Sequence, residues 1–454
     1  MNRIRLLLPL LMLAAILGLS AETKPPKLFT APLLQDNVTP DMLNPGFWIS
    51  RHPSPDAVIM NPDQIVKFNT SIRNRRGSVA NLPNLTGSIA GRTIRNGIEN
   101  GLKVLRNMRL YDANGVRVPD SYWSPIKANC NLGSIPGSIK IRTALAAVFA
   151  DQRIVPSDVN FNKKAFDYEF DELQNSGYDI GTPLVIYHTS ADGLWAYGSS
   201  AVTSGWFRVS ELCFVDQAAW KDYQNALDFA VVISDRAEVW QDSLSTRWSG
   251  FARMGSRFPL LGEKGDNYII NLPVRDSLGS RLISGYISRR DCQRGYLTYT
   301  ARNVYLLAFR MLDRPYGWAD MHGNTDCSSF IRQLFACFGI VLPRNSAEQE
   351  KSGKIAYSFK SGETALKRND LLIKHGKPAI TVLRRPGHVT LYLGSVDGRG
   401  YIIHNTWAER MKNDKKSNDI HVIDRVVVSD VFIGDKSTLG PMIKHFSAVS
   451  VLKN

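Results

Sequence analysis

Downstream of Asp326, apolar residues recur at three- and four-residue intervals: Phe330, Ile331, Leu334, Phe335 and Phe338, ending before Gly339. That spacing predicts an amphipathic helix with Asp326 as N-cap, Cys327 in its first turn and Gly339 as its stop. The period then changes to two. RPGHVTLYLG (385–394) reads as a strand that opens with His388 just after a Pro-Gly turn, and GYIIHNTW reads as a further strand carrying His404. Upstream, short alternating segments separated by Gly, Asp, Asn and Ser turns fill about 134–215 and 230–288, the sequence form of small β-barrels. Within the first, GLWAYGSSAVTSGWFRVSEL predicts a hairpin between a Trp195 strand and a Gly205-Trp206 strand. Further upstream, residues 24–57 are a Pro-rich, extended lead-in, and helices are predicted over 62–73 and 90–109.

The chain has 454 residues, 44% of them hydrophobic, which calls for two to four domains with substantial cores. Its first twenty residues combine a basic start, an apolar run interrupted by Pro9, and Gly18, Ser20 and Ala21 near a cut site. This is the pattern of a secretory signal peptide and points to an exported protein, periplasmic or outside the cell. No later segment predicts a membrane span. The formal charge of +15 becomes +13 once Arg3 and Arg5 are removed. Such a charge favours anionic envelope polymers as partners. Lys and Arg are scattered, with short clusters at 73–76 and 412–416, so nucleic acid is not expected.

Five cysteines, Cys130, Cys213, Cys292, Cys327 and Cys337, are too few for a disulfide scaffold, although one bridge among the first three is compatible with export. Ten helical residues separate Cys327 from Cys337 by about 15 Å, too far for a bridge, and Cys337 reads as core. Cys327 differs from the others because a helix start carries positive partial charge that favours thiolate. A cysteine nucleophile needs a base and a group that orients the base, and His388 and His404 suit those roles in that order. The Cys327 backbone N–H, at the helix start, is the natural oxyanion donor.

Five elements in order extend this reading: Tyr316 and Trp318, Asp326-Cys327-Ser328, Pro343-Arg344-Asn345-Ser346, Gly387-His388-Val389, and His404. The run resembles the NlpC-type cell-wall cysteine peptidases, a branch of the papain-like superfamily. The resemblance implies an α+β protein with a signal peptide (1–20), an N-terminal mainly helical region (24–125), two SH3-like β-barrels (130–222 and 225–292) and a C-terminal papain-like NlpC-type catalytic domain (297–454). It also implies hydrolysis of peptidoglycan stem peptides at the bond from γ-D-glutamate to meso-diaminopimelate or L-lysine, by Cys327, His388 and His404. Tyr316, Trp318, Asp326, Ser328, Ser329, Arg344, Ser346 and Gln349 would shape the substrate site, with Arg344 suited to grip a carboxylate. No cofactor or metal is implied, and a monomer is favoured.

The sequence departs from the family pattern at several places. Ala319 and Asp320 stand where many relatives have two glycines, and Ser329 replaces a common glycine. Asn369-Asp370 replaces the Gly-Asp pair that opens the next strand, here LLI, and a basic insertion, KHGKPAITVLRRP, follows before His388. Other readings of the same residues are a wall-binding protein with an inactive C-terminal domain, a zinc site from Cys327, His388 and His404, and amidase or acyl-transfer chemistry on the same fold. His52, His188, His322, His375, His421 and His445 carry no predicted function.

Overall fold

The computed structural model describes residues 28–76, 79–82, 85, 87–413 and 418–453. The expected signal peptide therefore lies outside the described residues. Among the described residues, three seven-stranded sheets organise the fold. The first and second, spanning strands from Arg142–Ala146 to Leu212–Val215 and from Phe229–Val232 to Cys292–Arg294, are antiparallel throughout and occupy the expected barrel segments. The predicted hairpin is present, with Trp195–Ser199 paired to Ser204–Arg208.

The third sheet belongs to the C-terminal unit. Its order is Leu28–Thr30, Asn418–Asp430, Arg399–Lys412, His388–Val396, Thr381–Arg385, Ala448–Val451 and Lys354–Ser358. The Cys327–Ala336 helix packs on this sheet, and Phe330, Ile331, Leu334 and Phe335 are fully buried in the shared core as their spacing requires. Gly339, at φ 75°, supplies the left-handed residue that follows the helix.

The helical region expected as one N-terminal unit divides between two cores. Met42, Trp48, Met60, Phe68 and Ile72 join the core of the C-terminal unit, whereas Ile94, Ile98, Leu102 and Leu105 join a core with Trp195, Tyr197 and Trp206 of the first sheet. Neither set is large enough to form a core of its own, so each helix buries its apolar face on the nearest sheet. Trp48 anchors the first set: its indole N–H donates to the Met42 carbonyl at 2.8 Å and its ring meets Tyr401. Leu28–Thr30 adds a parallel edge strand to the third sheet.

Two expectations fail between 365 and 386. Asn369-Asp370 and the following LLI lie in a helix, Ala365–His375, not at the start of a strand. Three apolar residues do not distinguish the two periods, and the Thr364 hydroxyl settles the matter by accepting the Lys367 N–H at 3.2 Å as an N-cap. Asn369 faces the sheet, donating to Gly398 and accepting from Gly400. The stretch read as a basic insertion contributes Thr381–Arg385, a central strand paired with both His388–Val396 and Ala448–Val451. All five cysteines are free and buried, so the compatible bridge is not formed.

Candidate functional site

Cys327 is the first residue of its helix. Asp326 caps that helix, with Oδ1 accepting from the backbone N–H of Ser328 at 3.0 Å and of Ser329 at 2.8 Å. His388 opens the strand opposite, and its Nε2 lies 2.8 Å from Nδ1 of His404 on the next strand. His404 Nε2 lies in turn 3.1 Å from the Ser429 hydroxyl. Ser429 pairs with Ile402, so it sits diagonally beside His404 on the same face of the sheet. Next to His404, Asn405 donates to the carbonyl and hydroxyl of Thr325, which ties this strand to the turn before Cys327.

The three groups form a dry line. Burial, followed by the charges of His404 and Arg385, pushes His388 well below the usual imidazole range. Burial and then Arg385 lower His404 to about 3. Both rings are therefore neutral at pH 7. The expected thiolate at the helix start is also opposed: burial and then Asp326 push the Cys327 thiol up to about 12, against the backbone amides of Val389 and Ser328 and the charge of Arg344. At rest the thiol and both imidazoles are uncharged, because desolvation outweighs the helix dipole here.

A cavity of about 700 Å³ opens beside His388. Tyr316, Trp318, Arg385, Gly387 and Trp407 line it from the C-terminal unit, and residues 163–170 and Glu172 line it from the first sheet's domain. Phe170 reaches over from that loop to meet the rings of Trp318 and Trp407, both at 5.2 Å between centroids. The Trp318 indole N–H donates to the Asp171 carbonyl at 3.1 Å, which locks the loop to the cleft.

Not every expected substrate residue faces this cavity. Arg344 is a correction. Its guanidinium is buried, with Nη2 2.7 Å from Asp326 Oδ2, Nη1 2.7 Å from the Ser328 hydroxyl and Nε 2.9 Å from the Ser176 hydroxyl. Its fork is fully occupied and holds the cap of the Cys327 helix, so it does not offer itself to a substrate carboxylate. Gln349 is a second correction: fully buried, it donates to the carbonyls of Ser328 and Pro343. Ser329 is likewise fully buried, and Ser346 begins the Ser346–Ser352 helix half-buried. Asp326 and Ser328 are engaged in the cap, leaving Tyr316 and Trp318 as the expected residues that line the cavity. Of the histidines given no function, His445 is on the cavity rim, while His188 binds the Cys130 carbonyl inside the first sheet's domain. Among the described residues no cluster of three or more His, Cys, Asp or Glu side chains is arranged to hold a metal ion.

Asp320 carries more of the site than its sequence suggested. Ala319, Asp320 and His322 have φ of 49°, 69° and 58°, the left-handed backbone that glycine adopts freely. Asp320 is completely buried. Its carboxylate meets Arg253 at 3.1 Å, Arg344 at 3.4 Å and Arg332 at 4.0 Å, and accepts from the Ser176 hydroxyl at 3.0 Å and the Gly177 N–H at 3.2 Å. Against the desolvation of burial, the charges of Arg344, Arg253 and Arg332 hold it well below the usual carboxylate range. A single side chain thus joins both barrel-type units to the turn before Cys327.

Comparison with known proteins agrees with this geometry. The NlpC/P60 family model matches residues 313–427, which contain Cys327, His388 and His404. The C-terminal unit is an NlpC/P60 domain. An SH3 domain model of the SH3b1 type matches residues 160–208, including the loop that walls the cavity. The chain is 26% identical over 210 residues to a gamma-D-glutamyl-L-lysine dipeptidyl-peptidase of Bacillus cereus, a match covering 45% of this chain and 57% of that protein. The match thus spans little more than half of that relative's length. The structure resembles that of an NlpC/P60 endopeptidase from Photobacterium damselae subsp. piscicida, with TM-score 0.74 at 20% identity over 94% of this chain and 97% of the other. It also resembles an NlpC/P60 family protein from Bacillus cereus, with TM-score 0.50 at 16% identity over 69% of this chain and all of the other. At these identities the likeness is one of fold, and it extends beyond the NlpC/P60 domain to the preceding units.

Two outcomes follow. Replacing Asp320 by Ala removes the carboxylate that Arg253, Arg344 and Arg332 share, leaving Arg253 only Asp179 and Arg344 only Asp326, and should cost about 3–5 kcal/mol in chemical denaturation. Asp320→Gly loses the same charge but relieves the positive φ, so it should be about 1 kcal/mol less damaging than the alanine variant. Because His388 and His404 are held neutral, their contribution to stability is present above the unfolded pKa of about 6.5 and is lost as pH falls below it toward the lower folded values. The melting temperature should therefore fall between about pH 7.5 and about pH 5, and fall less in His404→Gln.

Proposed function

We propose that the protein is an exported cysteine peptidase that hydrolyses peptidoglycan stem peptides at the bond from γ-D-glutamate to the diamino acid. The observation that carries this reading is the buried line from Ser429 through His404 to His388 at the wall of a cavity sized for a short peptide, with the helix-start Cys327 held by the backbone N–H of Val389, the residue after His388. The choice of bond is supported by the name of the Bacillus cereus relative, and export by the signal-like N-terminal pattern.

The chemistry follows from the hydrogen bonds. Each neutral imidazole carries one N–H. If His404 donates through Nε2 to Ser429, its Nδ1 accepts from His388 Nε2, and the lone pair on His388 Nδ1 is free for the Cys327 proton. On attack, sulfur bonds to the γ-carbonyl carbon as His388 takes the thiol proton. The Cys327 backbone N–H serves the developing oxyanion. Collapse breaks the C–N bond, and His388 returns the proton to the departing amine. A water then loses its proton to His388, attacks the thioester and releases the γ-glutamyl acid, and the thiol is restored. The starting thiol form costs nothing in this scheme, because proton transfer accompanies attack.

Mass spectrometry of defined muropeptides is the direct check. Mature protein should cleave after γ-D-glutamate and Cys327→Ala should not; binding of wall fragments by both proteins without cleavage by either would instead favour a wall-binding role. Ser429 should act as a positioning residue. Ser429→Ala is expected to lower kcat about tenfold with KM little changed, the worth of one hydrogen bond felt in the transition state. Nitrogen NMR should show a shifted His404 tautomer, and Ser429→Thr should restore both, whereas an unchanged tautomer with unchanged kcat would remove Ser429 from the scheme.

A further inference from the structure

The buried arginines of this protein are paired. Arg153 reaches Asp171 at 2.6 Å, Arg253 reaches Asp179 and Asp320 at 3.0 and 3.1 Å, and Arg344 reaches Asp326 at 2.7 Å. Arg385 stands apart. It is only half-buried, lines the cavity beside His388, and its Nε is shielded from solvent with no hydrogen-bond partner. Among the described residues no carboxylate forms an ion pair with it, although Asp167, Glu169, Glu172 and Glu409 line the same cavity. Glu172 is already taken by Lys163 at 2.9 Å.

The backbone fixes where this cation points. Arg385 and His388 are directly opposed across the hairpin whose tip is Pro386-Gly387, with Gly387 at φ 77°. Directly opposed residues of an antiparallel pair project from the same face with Cβ atoms about 5 Å apart. Arg385 therefore stands beside the catalytic base, close enough that its charge lowers both histidines and favours the Cys327 thiolate. Desolvating a guanidinium without a counter-ion is costly, and burial lowers its own pKa here. A ligand that brought a carboxylate to this point would pair that charge and satisfy the planar fork at once.

We infer that Arg385 is the carboxylate-binding residue of the substrate site, taking a carboxylate that flanks the scissile amide, the task first assigned to Arg344. This rests on the peptidase reading above. In that substrate two carboxylates lie close to the bond: the α-carboxylate of the γ-linked glutamate on the acyl side and a carboxylate of the diamino acid on the amine side. Both offer the same chemistry. The electrostatic consequence extends beyond binding, since a bound carboxylate would also neutralise the charge that now disfavours protonation of His388.

The test compares three synthetic stem peptides: one with both carboxylates free, one with the glutamate α-carboxylate amidated, and one with the diamino acid carboxylate amidated. Each is given to wild type, Arg385→Gln and Arg385→Lys. Wild type should lose roughly ten- to hundredfold in kcat/KM on one amidated peptide and little on the other, which identifies the carboxylate. Arg385→Gln should lose that factor on the unmodified peptide and no longer discriminate, and Arg385→Lys should recover part of the discrimination. If Arg385→Gln is slowed equally on all three peptides, or on none, the assignment is wrong. If wild type cleaves none of them, the peptidase reading fails first and the assignment with it.

Discussion

A buried carboxylate with no escape to water governs this molecule. Asp320 is surrounded by three guanidinium groups and held by two hydrogen bonds from the strand Gln174–Tyr178. Removing any one partner would unbalance the charges of a low-dielectric interior, so the partners act as a set. They come from three separate units of the chain. Arg253 closes a strand of the second sheet, Ser176 and Gly177 lie in the first, and Arg332 and Arg344 belong to the NlpC/P60 domain. Arg344 then passes the constraint on to Asp326 and Ser328, which cap the helix that begins at Cys327. The position of Cys327 is thus set by a network that is complete only when the SH3b1-type domain is docked.

The same network explains an unfavourable backbone. Ala319, Asp320 and His322 occupy left-handed conformations that cost roughly 1–2 kcal/mol each for residues with a Cβ. Glycines would remove that cost but could not carry a carboxylate to the centre of the arginines. Asp320 therefore trades local strain for a contact that no glycine can make. The turn it shapes directs Trp318 toward Asp171 and places Tyr316 at the cavity wall, so the strain is stored where the cleft is built.

The sequence showed where the three candidate side chains sit more clearly than what holds them there. Cys327, His388 and His404 were legible because each sits at a fixed place in a periodic element: a helix start, a strand start and a strand interior. The barrel-type segments were legible from alternation and turns. What escaped were contacts between elements far apart in sequence. Arg344 looked like a free fork because nothing local shows that Asp326, eighteen residues earlier, and Ser176, 168 residues earlier, would occupy it. Asp320 registered only as a departure from a glycine pair, and Phe170 had no signal at all in a turn-rich stretch. The stretch from Ala365 to Arg385 was misread because a three-residue apolar run fits either period, and there the Thr364 cap and the pairing of Thr381–Arg385 between two strands decided the outcome.

Dryness links these features to reactivity. Burial raises the thiol and lowers both imidazoles, so Cys327, His388 and His404 are themselves uncharged while Arg385 stands at the edge of the site. In such a medium a single neighbouring charge acts strongly, and the electrostatic state of Cys327 and His388 depends on what lies against Arg385. A substrate carboxylate placed there would raise the proton affinity of His388, the proposed acceptor of the Cys327 proton. Binding and activation would then be one event, and a peptide lacking that carboxylate would meet a base still disfavoured by an unpaired cation.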